Sequence, residues 1–268
     1  MKHSHALFIT ILCAACSYPT RTEDNSFIIR HVETGLCAPV VIEGDSTWTL
    51  EERMKHYGVH GVSIAVIDSF KIAWAKSYGV MDTTDKRPVT DSTLFQAASI
   101  SKPVFAMAAL KLVEQGALQL DGDVNAQLTS WRIPENEFTA TEKVTLKRLL
   151  GHVAGTTVHG FQGYRQNDPL PSLVQILNGE APANSPPVVV DQTPGTAWRY
   201  SGGGFCIASQ VILDKKGGTI PQHIHELVLK PLGMARSTGG LRKLMNYLLT
   251  SPGGYVKDVS MTVGKWHV

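Results

Sequence analysis

The stretch Gln96-Ala97-Ala98-Ser99-Ile100-Ser101-Lys102-Pro103-Val104-Phe105 decides how this chain is read. It opens an apolar run of good helix formers, Val104 to Leu112 (VFAMAALKL), and Gly116 after Glu114 and Gln115 supplies a stop. The pattern predicts a buried helix that starts around Ser99. Ser99 and Lys102 are spaced i, i+3, so on that helix they share a face one turn apart. A helix N-terminus stabilises developing negative charge through its free N–H groups and dipole. A desolvated lysine amine beside the hydroxyl can give up its own proton and then accept one from the serine. This is the chemistry of a serine nucleophile that forms an acyl intermediate without a histidine. The pattern S-x-x-K is weak alone, since about one copy is expected by chance in a chain this long. Ser99 as a plain N-cap with a solvated Lys102 is the alternative reading.

Outward from this stretch, Gly61 to Ile67 reads as a strand, Asp68-Ser69-Phe70 as a turn and Lys71 to Tyr78 as a returning strand, an antiparallel hairpin. Thr47 to His56 has the charges of an exposed helix. Beyond Gly116, Asp121-Gly122-Asp123 resembles a calcium loop but lacks the later ligands, so it is read as a turn. A short helix is expected from Val144 to His152 with Thr145 near its start, and another over Ser172 to Leu177. His152 to Tyr164 (HVAGTTVHGFQGY) reads as a glycine-rich loop, its two histidines as hydrogen-bonded structural residues. Glu180 to Pro194 reads as a long loop. The glycines of Tyr200-Ser201-Gly202-Gly203-Gly204 allow close backbone approach in a loop, with a helix following from Phe205 to Leu213. Ile220 to Leu229 is a further helix. His223 and His225 at i, i+2 point apart on it and cannot share a metal.

Composition bounds the rest. The 268 residues are 43% apolar and 18% charged, which fits a folded domain, and a net charge of +2 gives no reason to expect nucleic acid. Residues 1–16 have a short basic start, a short apolar core and small residues before Cys16, the pattern of a bacterial export signal. Ala14-Ala15-Cys16 resembles a lipobox that would lipidate Cys16 and attach the protein to a membrane, although Cys13 is not the usual large aliphatic residue and plain cleavage stays open. The expectation is therefore an exported, periplasmic protein. Residues 17–45 read as a linker and 46–268 as one domain. Cys37 and Cys206 remain in that body, either as a pair or as separate thiols.

Ser99-Ile100-Ser101-Lys102 followed about a hundred residues later by Tyr200-Ser201-Gly202 is an order of motifs that resembles serine β-lactamases and penicillin-binding proteins. The branch it resembles holds class C β-lactamases, D-alanyl-D-alanine carboxypeptidases and esterases. Leu146 to Gly155 (LKRLLGHVAG) and Pro194 to Ser201 (PGTAWRYS) resemble further blocks, so the likeness runs from about Val62 to Ser237. It implies a mixed α/β fold: an antiparallel sheet flanked by helices, and a helical subdomain over about Leu118 to Ala197 with the cleft between them. It implies Ser99 as nucleophile, Lys102 as proton acceptor and Tyr200 as acid or base. Ser201 and Gly202 would line the substrate site. It implies a small-molecule or peptide substrate bearing an amide, β-lactam or ester bond, with no metal and no organic cofactor. Two features depart from the family. Its Y-x-N is Tyr200-Ser201-Gly202 here, without the amide that would hold a substrate carbonyl. No K-[ST]-G occurs, and the one H-x-G, His56-Tyr57-Gly58, precedes the serine. The expectation is an incomplete set of C-terminal strands, and with it either a hydrolase, a remnant that is acylated without turnover, or a hydrolase completed by a partner chain.

Overall fold

The structure, a computed structural model, describes residues 25–38, 40, 42–44, 46–164 and 168–239. The leader with Cys16 and the tail from 240 on, where the incomplete set of strands was expected, lie outside the described residues. The chain divides into two compact units, one ending at Tyr57 and one starting at Gly58.

The first unit holds α1 (Ser26–Thr34) and α2 (Leu50–His56). The expected linker thus contains a helix, one that buries none of its residues. α2 starts at Leu50, three residues inside the stretch Thr47 to His56 that the sequence suggested. Thr49 accepts a bond from the Glu52 N–H, and the Glu52 carboxylate accepts from the Thr49 N–H, a reciprocal capping box. Arg53 lies over the Trp48 ring at 4.2 Å.

The second unit begins with the hairpin, β1 (Gly61–Asp68) and β2 (Lys71–Gly79), paired antiparallel with Ala65 opposite Ala75 and Val66 opposite Trp74. Ser69 and Phe70 both adopt positive φ at the two-residue turn, as the twist of such a hairpin demands. A single turn of 3-10 helix, Ala98–Ile100, then leads into α3 (Ser101–Glu114). Ser99 therefore stands on the tighter lead-in turn rather than on α3 itself. Short helices follow: α4 (Glu137–Thr141), α5 (Leu146–Leu150) and α6 (Leu173–Asn178). The region expected to be helical is mostly ordered loop. Pro134, Pro169, Pro171, Pro182, Pro186, Pro187 and Pro194 punctuate it, and none can sit inside a helix without losing a hydrogen bond. α5 and α6 are capped by Thr145 and Ser172, each accepting from the N–H three residues on.

α7 (Gly202–Lys216) starts three residues earlier than the sequence suggested. Gly202, Gly203 and Gly204 are its buried first turn, not a loop. They are glycines because of what they touch. A Cβ on Gly203 would lie 2.8 Å from the Thr157 carbonyl oxygen and 2.8 Å from Val188 Cγ1. α8 (Ile220–Ile224) runs into a π turn, His225–Leu229, closed by the Lys230 N–H donating to the His225 carbonyl at 2.8 Å.

One apolar cluster joins these elements. It takes Phe105, Ala108, Ala109 and Leu112 from α3, Leu146 and Leu149 from α5, and Ile207, Ala208, Val211 and Ile212 from α7. The hairpin contributes Trp74 to the buried residues, with its neighbours half-exposed or exposed. Beside the cluster, the Asp214 carboxylate accepts the N–H groups of Thr129 and Ser130 at 2.7 and 3.0 Å, tying α7 to the loop after Val124–Ala126.

Candidate active site

Two helix starts converge. Pro103 at the third position of α3 has a φ ready-made for a first turn and no N–H to waste there. Its predecessor Lys102 points its amine back to Ser99: Nζ donates to Oγ at 3.0 Å. From the other side comes Tyr200, one residue before the N-cap of α7. Its hydroxyl donates to the same Ser99 Oγ at 2.8 Å. Lys102 Nζ also lies 4.9 Å from the centre of the Tyr200 ring and 5.6 Å from that of Phe205. Hydroxyl, amine and phenol thus meet at one oxygen, across a hundred and one residues of chain.

The Phe105 and Phe205 rings, one from each helix, pack behind this point with centroids 5.5 Å apart. Ser99 itself is exposed, so the meeting point is open to a reactant.

The electrostatics follow from these distances. Burial of the Tyr200 phenol opposes its ionisation. Hydrogen bonds from Lys102 and Ser99 and the Lys102 charge together outweigh burial and hold the phenol below its ordinary value. The Cys206 thiol, buried on α7, is pushed up to about 11, chiefly by desolvation, which leaves it an inert apolar filler. Cys37 and Cys206 are both free thiols.

Ser201 and Gly202 take different parts from those expected of them. The Ser201 hydroxyl is 1% exposed, donates to the Thr157 carbonyl at 2.6 Å and accepts the Gly204 N–H at 2.8 Å. It caps α7 and has no face for a substrate. Gly202 is buried too, with the His159 carbonyl 3.1 Å and the Phe161 ring 3.2 Å from where a Cβ would stand. Both positions serve to seat the loop of Thr156 to Phe161 against the start of α7.

Sequence reasoning missed what surrounds Tyr200. His152 stacks on its ring, centroids 4.4 Å apart at 30°, and His159 packs at 4.8 Å. His152 Nδ1 accepts the Ser201 N–H at 3.1 Å. The neighbouring carbonyl of His152 accepts the Arg199 N–H, and the Arg199 guanidinium binds the Gly155 carbonyl and Asp191. A signal existed in the two histidines of one glycine-rich loop, but nothing in the spacing tied them to Tyr200.

Residues 49–260 match the family model described as Beta-lactamase. The chain belongs to that family. It is 29% identical over 173 residues to Esterase EstB of Burkholderia gladioli, covering 61% of this chain and 43% of the relative. It is 30% identical over 173 residues to the Lovastatin esterase of Penicillium rubens, covering 57% of this chain and 41% of the relative. Among solved structures it resembles the octameric penicillin-binding protein homologue from Pyrococcus abyssi (TM-score 0.58, 26% identity, 73% of this chain and 44% of that one). It has the fold of the D-amino acid amidase from Ochrobactrum anthropi as well (TM-score 0.55, 24% identity, 68% of this chain and 48% of that one). The chain therefore spans less than half the length of these relatives. The mixed α/β fold of the β-lactamase and transpeptidase type, expected from the motif order, is the one found.

Proposed function

We propose that this chain carries the reacting groups of a serine hydrolase that cleaves a carboxylic ester through an acyl-enzyme on Ser99. The observation that carries the reading is the pair of hydrogen bonds converging on Ser99 Oγ, from Lys102 at 3.0 Å and Tyr200 at 2.8 Å. With the phenol ionised, the 2.8 Å contact reverses and Tyr200 accepts the serine proton as Oγ attacks the substrate carbonyl carbon. The Lys102 ammonium favours that phenolate. The tetrahedral oxyanion forms within reach of the Ser99 N–H, the donor that the attacking residue itself supplies. Collapse breaks the bond to the leaving oxygen, which takes the proton back from Tyr200. Water then attacks the acyl carbon by the same proton route in reverse, releasing the acid and restoring Ser99.

An ester is favoured over a β-lactam or a cell-wall peptide for two reasons. Two curated relatives are named esterases. The Y-x-N amide that would recognise an amide substrate is replaced by Gly202, which is buried. The leader read at residues 1–16 adds that the enzyme is exported to the periplasm, anchored through a lipid on Cys16 or cleaved free. A second outcome is an acyl-enzyme that forms on Ser99 and is not turned over.

The test is a p-nitrophenyl ester series and a fluorescent penicillin, each followed by intact mass. Continuous release of p-nitrophenol that disappears in Ser99→Ala is expected. A persistent adduct on Ser99 without turnover would favour the second outcome. No adduct, with hydrolysis equal in Ser99→Ala, would reject both.

A further inference from the structure

The loop of Gly151 to Phe161 carries two imidazoles that the proposed reaction does not use. Three contacts of one of them bear on the phenol. The His152 ring lies flat against the Tyr200 ring, its Nδ1 accepts the N–H of Ser201, the next residue, and its own carbonyl accepts the N–H of Arg199, the residue before. His152 thus grips Tyr200 by its ring and by the N–H groups of the residues on both sides. We propose that neutral His152 is the positioning residue that holds the Tyr200 hydroxyl on Ser99, and that protonation of His152 releases it. The proposal rests on the ester-hydrolase reading for its kinetic consequence, but the placement of Tyr200 can be measured without any substrate.

The chemistry of the grip sets the sign. Nδ1 can accept the Ser201 N–H only while it carries no proton. An imidazolium would turn that acceptor into a donor facing another donor. The charged or titratable groups around it are the Lys102 amine from α3, His159 from the same loop, and the Tyr200 phenol it covers, with the Arg199 guanidinium engaged next door by Gly155 and Asp191. Desolvation first, then the Lys102 and His159 charges, hold the imidazole below its usual value, so the grip is intact at neutral pH. It fails only at a pH below the ordinary histidine value of about 6.5. Phe205 and Trp198 close the sides of the ring at 5.3 and 6.1 Å and keep it in place.

The backbone at His152 helps choose the variants. Its φ is +59°, a left-handed position that asparagine tolerates at least as well as histidine. An asparagine there offers a carbonyl oxygen near Nδ1 as acceptor and cannot be protonated. The experiment uses the full chain and two readouts. The first is tyrosinate absorbance titrated with base, each protein read as its difference from the same chain carrying Tyr200→Phe. His152→Ala is expected to move the Tyr200 midpoint up toward the free value of about 10, and His152→Asn to leave it where the wild type has it. The second is the rate of Ser99 acylation by p-nitrophenyl acetate against pH. Wild type is expected to lose rate in acid through an ionisation below about 6.5, and His152→Asn to lose that acid limb. An unmoved Tyr200 midpoint in His152→Ala, or an unchanged acid limb in His152→Asn, overturns the proposal. If His152→Ala does not fold, the asparagine profile decides. If wild type is never acylated, the ester reading fails while the absorbance titration still decides the role of His152.

Discussion

The hairpin of β1 and β2 and the helical body of α3, α5 and α7 are built on different terms. The body buries side chain upon side chain: Leu112, Leu146, Leu149, Ile207 and Ile212 are each at most 1% exposed. The hairpin buries Trp74, leaves Ile67 67% exposed and sets Phe70 wholly in solvent at its tip. The three groups of the proposed site are all mounted on the body. Ser99 and Lys102 ride on the start of α3, Tyr200 on the start of α7, and the Phe105–Phe205 contact locks those two starts together. The arrangement teaches that the spacing of the site is a property of helix packing. The hairpin precedes the site in the chain without setting its distances.

This contrast can be broken or sharpened in order of effect. Ser99→Ala should lower ester hydrolysis to the background of the uncatalysed reaction, a loss on the order of a millionfold where turnover is full. Stopped assays with p-nitrophenyl acetate measure it. Tyr200→Phe keeps the ring stack and removes the phenol oxygen from Ser99. It should cost roughly a hundred- to ten-thousandfold in acylation rate while leaving the thermal midpoint near wild type. A Tyr200→Phe chain that acylates at the wild-type rate would separate the phenol from the chemistry.

Phe105→Ala tests the helix lock. Removing a buried aromatic from a packed core costs about 3–5 kcal/mol, and here it should also loosen the Tyr200–Ser99 contact. Urea unfolding and acylation rate should fall together. Ser201→Ala removes the α7 cap and leaves the buried Thr157 carbonyl without its donor, for a loss of about 1–2 kcal/mol. Equal stability in that variant would return Ser201 to the substrate site.

The Asp214 bonds give a pH signature. Burial opposes its ionisation, but the N–H groups of Thr129 and Ser130, the Ser130 hydroxyl and Gln210 outweigh it and hold the carboxyl below its ordinary value. A folded-state value below the unfolded one means stability that is present above about 4 and lost as pH falls through the lower, folded value. Asp214→Asn should flatten that acid loss in a thermal scan. Smallest of all, Phe70→Ser at the hairpin tip should change stability by no more than about 0.5 kcal/mol, as for most exposed positions. A large loss there would contradict the division drawn between hairpin and body.

Much of this was legible in advance where the cause is local. Thr145, read near the start of one helix, and Ser172, read at the start of another, are caps whose partners sit three residues away. The hairpin alternates and turns at Ser69 and Phe70 with no help from elsewhere. The i, i+3 spacing of Ser99 and Lys102 likewise guarantees a common face once a helical turn forms. Where the cause is distant, the reading strayed. Gly202 to Gly204 look like a loop in isolation and form a helical turn packed so closely on the loop of Thr156 to Phe161 and on Val188 that a Cβ has no room. Leu118 to Ala197 looked helical by analogy and is held mostly by loops; α4, α5 and α6 run only five or six residues, and α5 and α6 each end at a glycine.

The chain's own order of residues determined the neighbourhood of Ser99: a hydroxyl and an amine one turn apart at the head of an apolar helix, and the family to which that order belongs. Only the tertiary structure decided that Tyr200 reaches Ser99, that Ser201 is a cap, and that His152 grips the phenol. The reason is range. Helical geometry enforces contacts three or four residues apart, whereas contacts separated by fifty or a hundred residues exist only because the packed core brings two helix starts to the same place.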